Sequence, residues 1–581
     1  MSCPSASLLC WGGRSFRLTR TAYVGVTATS DFLLPSFRHR HQTRSFTSLC
    51  ITAMGKKPQV AIIGAGFSGL RCADILAKNG AQVTIVEARN RVGGRVHQSE
   101  VGSNLVDLGP NWIHGTGKNP IADIAALTGT TIYDLEGDQI LYSSDGKLID
   151  RQLATKVSEF LWETIGEAFE YSNAHKETIS PHRSLLDFLT DRLEATSLTP
   201  LEKELCIESS RLWGAYVGDP IERQSLKFFC LEECIDGNNY FVASTYRAIL
   251  QHVSKTALEN AEIRFDQPIV KIDSKIRDDP KTPGEITLTT ATGETFQFDE
   301  VVVTCPLGWL KRNQAAFTPE LPARLTQAIN SISYGRLEKI YVTFPEAFWH
   351  NHTDHNANDP SGPPPTTKTN TPEQPPTFIQ FLDPTYTPHP SNIIWNQECV
   401  SLATLPPPCA QPTLLFYTYG PCATHIVSTL KDLPLSSAAY TNYLTTVLSP
   451  FYSLLPGYNP TSPTCQPTAF LATQWQNDSY AGNGSYCNFQ RGLEHGDRDI
   501  EVLRAGMGVE RGVWFAGEHT APFVALGTTT GAYWSGERAA GQICGLYGLG
   551  SVGVGVVRDD SLPSAAVAAE GKDGVVDGDF N

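Results

Sequence analysis

The sequence predicts an α/β fold built on a dinucleotide-binding unit, and three observations near its start predict it. Gln59-Val-Ala-Ile-Ile63 is a short β-branched apolar run, the signature of a buried parallel strand. It leads straight into Gly64-Ala-Gly66-Phe-Ser-Gly69, after which Leu70, Ala73, Leu76 and Ala77 recur at helical spacing until Asn79-Gly80 supplies a C-cap. A second strand, Gln82-Val-Thr-Ile-Val86, then ends at the acid Glu87.

Each residue type has a physical task. Gly64 permits a tight turn, Gly66 lets the backbone approach a pyrophosphate, and Gly69 lets the helix pack on the sheet. The phosphate then sits on the helix N-terminus. Glu87, 18 residues beyond Gly69, can accept hydrogen bonds from ribose hydroxyls. A bare G-x-G-x-x-G is weak evidence; strand, helix, second strand and acid in order make a Rossmann-type unit.

Composition bounds the rest. The chain has 581 residues, too many for one core, with 41% apolar and 18% charged residues, ordinary for a globular protein. A net charge of −15 argues against a nucleic-acid binder. The charge is uneven: residues 1–57 carry eight Lys/Arg against Asp31 alone, leaving 37 bases and 59 acids elsewhere. Such an acidic body can attract polycations, but a merely soluble acidic protein is the commoner reading. Fourteen cysteines lie scattered, without C-x-x-C or zinc spacing, so reduced buried thiols and no metal site are expected. Arg14, Arg17, Arg20, Arg38, Arg40 and Arg44 among Ser, Thr and apolar residues suit a mitochondrial transit peptide. Met54, just before Gly-Lys-Lys-Pro, equally suits a natural start. The protein is therefore expected in the cytoplasm, or in the mitochondrion if residues 1–53 are a leader.

The sequence after Glu87 carries a resemblance. Arg91-Val-Gly-Gly94-Arg95 resembles the R-x-G-G-R segment of many FAD proteins, and Val106-Asp-Leu-Gly109-Pro-Asn-Trp-Ile-His114-Gly115 follows it. Toward the C-terminus come Trp475-Gln-Asn-Asp478, Gly484-Ser-Tyr486, Trp514-Phe-Ala-Gly-Glu-His-Thr520 and Gly527-Thr-Thr-Thr-Gly-Ala532. In this order, from about Gln59 to Ile543, the blocks resemble the flavin-containing amine oxidases, and most of all the polyamine oxidases among them.

That resemblance implies non-covalent FAD, because Ser485 stands where monoamine oxidases have a flavin-bonding cysteine, and Cys487 should point elsewhere. It implies a flavin site collecting Gly64, Ala65, Gly66, Phe67, Ser68, Gly69, Glu87, Ala88, Arg89, Gly94 and Arg95. Gly109, Pro110, Asn111, Trp112, Val270, Gly517, Glu518, Thr528 and Thr529 complete it. Lys339, in Ser331-Ile-Ser-Tyr-Gly-Arg-Leu-Glu-Lys339-Ile-Tyr-Val, resembles the family's active-site lysine, which holds a water against flavin N5. A lysine inside an apolar alternating stretch is costly to bury and calls for a polar partner or a lowered pKa. His114 matches a substrate-channel histidine of animal-type polyamine oxidases. Tyr486 matches one of two tyrosines that sandwich the amine in monoamine oxidases, but the partner position holds Thr528, so that cage is incomplete. Glu232 and Glu233 fall near an acid for the substrate's distal ammonium, with Glu233 preferred.

The family implies a Rossmann-type FAD-binding domain interleaved with a mixed α+β substrate-binding domain. Residues 58–116, 240–320 and 465–545 are assigned to the first, and 117–239 and 321–464 to the second. The stretch 350–376 reads as a Pro-rich loop, 1–57 as a disordered leader or extension, and 546–581 as a disordered tail. The apolar stretch 541–557 is too short and Gly-rich for the membrane anchor of monoamine oxidases. The expected reaction is hydride transfer from a polyamine carbon to flavin N5, hydrolysis of the imine to aldehyde and amine, and reduction of O2 to H2O2. The expected partners are thus a small polyamine and O2. Rival readings are another amine (a monoamine, an amino acid or a methylated lysine) and a catalytically silent FAD-binding scaffold. Against a histone-lysine demethylase stands the lack of sustained heptads.

Overall fold

The structure is a computed structural model that describes residues 57–135, 138–279, 282–350 and 375–550. The expected leader through residue 56, residues 351–374 of the Pro-rich stretch and the tail beyond 550 lie outside the described residues. Two sheets organise what is described. The first has five parallel strands in the order Val513–Phe515, Glu300–Val303, Gln59–Ile63, Gln82–Val86, Glu262–Arg264. Its three central strands are mostly apolar because both faces are covered. Val60 and Ile62 pack beneath the helices Phe67–Lys78 and Thr529–Tyr547, while Ala61 and Ile63 join the core on the opposite face.

The second sheet has six strands, ordered Ala469–Ala472, Leu337–Thr343, Thr413–Tyr419, Gln397–Ser401, Pro376–Phe381, Asp138–Tyr142. All neighbours are antiparallel except the last pair. One face packs on the helices Gly420–Leu430 and Ala438–Tyr452. The other presents Tyr341, Leu415, Tyr417 and Tyr419 toward the first sheet. Long-range pairing thus places Leu337–Thr343 opposite the dinucleotide-binding turn.

Three segments fall on the other side of the expected domain boundaries. Ala469–Ala472, placed with the FAD-binding domain by a boundary at 465, is an edge strand of the second sheet. Pro120–Leu127 packs on Arg247–Asn260 in the core of the first sheet, and Ala323–Ser331 packs on Gly496–Ala505 beneath its other face. Both helices lie in stretches assigned to the substrate-binding domain. The tail starts later than expected, since the last helix runs to Tyr547. No helix among the described residues is long and apolar enough to cross a membrane.

Candidate active site

A cavity of about 360 Å³ lies between the two sheets, and its first end is built by the glycine turn. Gly64 has φ +109°, and a Cβ there would meet Thr304 Oγ1 at 2.6 Å. A Cβ on Gly69 would stand 2.1 Å from the Gly64 carbonyl oxygen, so the helix packs directly on the turn. Gly66 faces open space, with nothing within 4 Å. Glu87 is buried, and its carboxylate accepts from the Ala65 amide (2.7 Å) and the Arg89 amide (2.9 Å).

The surrounding arginines are held in place. Arg89 donates to both oxygens of Asp478 at 2.9 and 2.7 Å, and Arg95 reaches the buried Glu518 at 3.1 Å. Burial and the neighbouring Arg89 pull the Arg91 guanidinium down to about 10, where it is still charged at neutral pH.

A contrast between two glycines tests this end. Gly66→Ala should leave the thermal midpoint of the FAD-free protein unchanged while weakening FAD binding at least about tenfold, roughly 1.4 kcal/mol. Gly69→Ala should prevent folding, because the new carbon collides with backbone. The flavin-to-protein absorbance ratio and a melting curve read both outcomes.

The other end is built around Lys339. Its side chain is 5% exposed, and Nζ donates to the Gly109 carbonyl, lies 3.4 Å from that of Asp107 and stands 5.8 Å from the Tyr417 ring centroid. Burial pushes the amine well below its ordinary value, and the Asp107 carboxylate offsets part of that shift. Burial in turn pushes Asp107 up, although Gln98 Nε2 (2.7 Å) and the Tyr246 amide (2.9 Å) donate to it. On the opposite face of the strand, Glu338 accepts from Thr473 Oγ1 (2.6 Å) and from the amides of Trp475 and Gln476 (3.0 and 2.9 Å). This bond set fixes the loop that carries Trp475 and Asp478 over the cavity.

The structure brings most of the expected residues together. Gly64, Gly66, Phe67, Ser68, Glu87, Ala88, Arg89, Gly94 and Arg95 line one end. Gly109, Pro110, Asn111, Trp112, His114, Lys339, Tyr486, Gly517, Glu518, Thr528 and Thr529 line the remainder. Burial pushes the His114 imidazole down to about 4, and its Nδ1 has no hydrogen-bond partner among the described residues. Tyr486 donates to the Tyr216 carbonyl, and Thr528 caps the helix Thr529–Tyr547 by accepting from the Gly531 amide at 2.9 Å.

Four expected residues lie elsewhere. Ala65 and Gly69 are buried beneath the turn and shape it without lining the cavity. Val270 is 51% exposed: it is the extra residue of a bulge between Ile269 and Lys271, which turns it to solvent and leaves Ile269 on the cavity. Glu233 also faces away, toward Asp236 and Glu170, because Phe229–Glu232 is a 3₁₀ turn that aims Glu232 inward. Cys487, expected to point elsewhere, borders the cavity, and its amide lies 3.3 Å from Glu518. Trp213, Tyr216 and Tyr417 complete the aromatic wall. No local pattern marks them, since strand pairing and helix packing bring them there.

A cradle that only glycine leaves open, a helix N-terminus aimed at it, a buried Glu87 and clustered arginines fit an FAD with its pyrophosphate on Gly66. Comparison with known proteins agrees. The family described as flavin containing amine oxidoreductase matches residues 67–544. The chain belongs to that family. FAD is its cofactor, and a second match, to pyridine nucleotide-disulphide oxidoreductase, covers residues 16–108.

Among similar proteins, probable polyamine oxidase 4 of Arabidopsis thaliana is 30% identical over 311 residues, 51% of this chain and 60% of that protein. Polyamine oxidase 4 of Oryza sativa subsp. japonica is 28% identical over 309 residues, with the same shares. Lysine-specific histone demethylase 1 homolog 2 of the same rice is 26% identical over 320 residues, 51% of this chain and 38% of that protein. The chain thus spans about 60% of the length of the curated polyamine oxidases it matches.

Proposed function

We propose that this chain oxidises polyamines at a carbon–nitrogen bond, with FAD held non-covalently. Glu232 carries the proposal. Its carboxyl lines the cavity and accepts from Gln224 Nε2 and the Phe489 amide, both at 3.1 Å, yet no cationic side chain among the described residues pairs with it. A half-buried acid with no basic partner among the described residues, in a cavity that also holds Lys339, suits a ligand that brings its own ammonium. The similarity to proteins named polyamine oxidase supports the same reading.

Bound FAD supplies a hydride acceptor at N5 and returns the electrons to O2 as H2O2. The chain supplies orientation and proton control. His114 is neutral at pH 7 and can accept a hydrogen bond from a substrate nitrogen. Lys339 Nζ, aimed at the Asp107–Gly109 turn and lowered in pKa by burial, holds a water and takes the proton that the substrate amine loses before it gives up hydride. Burial raises Glu232 to about 7, so its anionic form, and with it cation binding, grows as pH rises through that value.

The experiment is an anaerobic absorption spectrum of the flavoprotein before and after adding spermine, spermidine, N1-acetylspermine or a methylated lysine peptide. Bleaching by a polyamine, reversed by air, is the expected result. Bleaching by the peptide alone would instead favour the demethylase reading, which the rice relative supports. No change with any amine would leave a silent scaffold.

A further inference from the structure

The second sheet holds another buried acid, which the chemistry above does not use. Lys339, Tyr417, Glu398 and Gln380 stand directly opposite one another on four adjacent antiparallel strands, so their side chains leave the same face. Lys339 and Tyr417 line the cavity, and Glu398 lies one strand farther along. Glu398 is 2% exposed; Gln380 Nε2 donates to it at 3.0 Å, and no Lys, Arg or His among the described residues pairs with it. The groups that face it are Tyr417 from the neighbouring strand and Tyr216 from the helix Gly214–Val217, both walls of the cavity.

The same wall has a polar backing. Behind Trp213 and Tyr216 lies a separate chamber of about 20 Å³, also bordered by Gln139, Ser158, Ser209 and Gln380. Ser209 Oγ and Trp213 Nε1 are buried there without hydrogen-bond partners. The space suits one water. An aromatic wall backed by an unpaired acid, amides and a chamber with room for one water differs from an apolar wall in one respect. It can compensate a positive charge resting on its cavity side.

We infer that Tyr216 and Tyr417 form a second ammonium subsite, with Glu398 behind them as the specificity-determining anion that selects amines carrying at least two cationic nitrogens. The inference rests on the polyamine reading and specifies which wall takes the second charge. Glu398 is neutral at rest, since an unpaired buried carboxylate is costly, and it loses its proton to solvent when the cation docks.

Calorimetric titration of the holoenzyme, with its flavin reduced beforehand so that nothing turns over, tests this directly. The wild-type protein should bind 1,8-diaminooctane at least about tenfold more tightly than octylamine. Glu398→Gln should reduce that preference to about threefold or less by weakening the diamine alone, and Glu398→Asp should preserve it. Should the Gln variant lose its flavin, Gln380→Leu removes the donor that favours the ionised acid and should lower the same ratio. An unchanged ratio in the variants, or no diamine preference in the wild type, overturns the inference. Because binding is read without turnover, failure of polyamine oxidation in the spectral assay is a separate outcome.

Discussion

Lys339→Met slows anaerobic flavin reduction by an amine about 10²–10⁴-fold, the range that a positioned proton-transfer group contributes. The flavin stays bound. The pyrophosphate cradle, Glu87 and the Arg89–Asp478 pair lie at the far end of the cavity and do not touch the lysine. Met fills a similar volume without a buried charge, so the thermal midpoint holds or rises. What disappears is an ammonium or amine fixed by the Gly109 carbonyl, the only such base among the cavity's lining residues apart from the arginines of the phosphate end and His114. Stopped-flow absorbance of the oxidised flavin band reads the rate. A reduction rate equal to wild type would remove Lys339 from the chemistry.

Glu300→Ala destabilises the fold by about 3–5 kcal/mol, the cost of breaking a buried ion pair from one side. Glu300 sits at the start of the strand Glu300–Val303 with its side chain fully buried, and it pairs with Arg277 at 2.6 Å. It also accepts from Trp514 Nε1 at 2.7 Å and from the Tyr547 hydroxyl at 2.8 Å. One carboxylate therefore joins two strands of the first sheet to the last helix. Its removal strands a guanidinium that is only 3% exposed and whose Nε and Nη1 have no hydrogen-bond partner among the described residues. The double variant Arg277→Met/Glu300→Leu should recover most of the loss, because it leaves no charge behind. Thermal midpoints of the two variants decide it: equal midpoints mean that the charge left behind is not the cause.

What was legible in the sequence is what short spacing encodes. The roles of Gly64, Gly66 and Gly69 follow from steric rules acting within one turn, and the contacts a Cβ would make at each agree with them. Lys339 was legible through the resemblance of its strand to the family's, since a lone lysine in an alternating apolar strand reads more readily as an exposed residue whose side chain snorkels. Val270 turns its side chain to solvent because a one-residue bulge reverses which side chain faces inward, and no composition signal marks a bulge. Glu233 faces away from the cavity for a similar reason, since the 3₁₀ turn ends at Glu232 and Glu233 follows it in extended backbone. Tyr216, Tyr417 and Glu398 carry no local signal, because their meeting depends on the register of distant strands. The domain boundaries missed three segments where the chain crosses between layers within a few residues.

The strand order of the first sheet has a consequence for how the chain is made. Gln59–Ile63 leaves the ribosome early, but the edge strand Val513–Phe515 and the helix Thr529–Tyr547 that cover it come last. During most of translation, Glu300–Val303 presents an open parallel edge, and the first helix has an uncovered apolar face. Such unpaired edges invite aggregation, and long-range parallel pairing is slow to form. The nascent protein cannot complete the cofactor cavity until Gly517, Glu518, Thr528 and Thr529 have emerged. A supply of FAD at that late moment would act as the last folding partner.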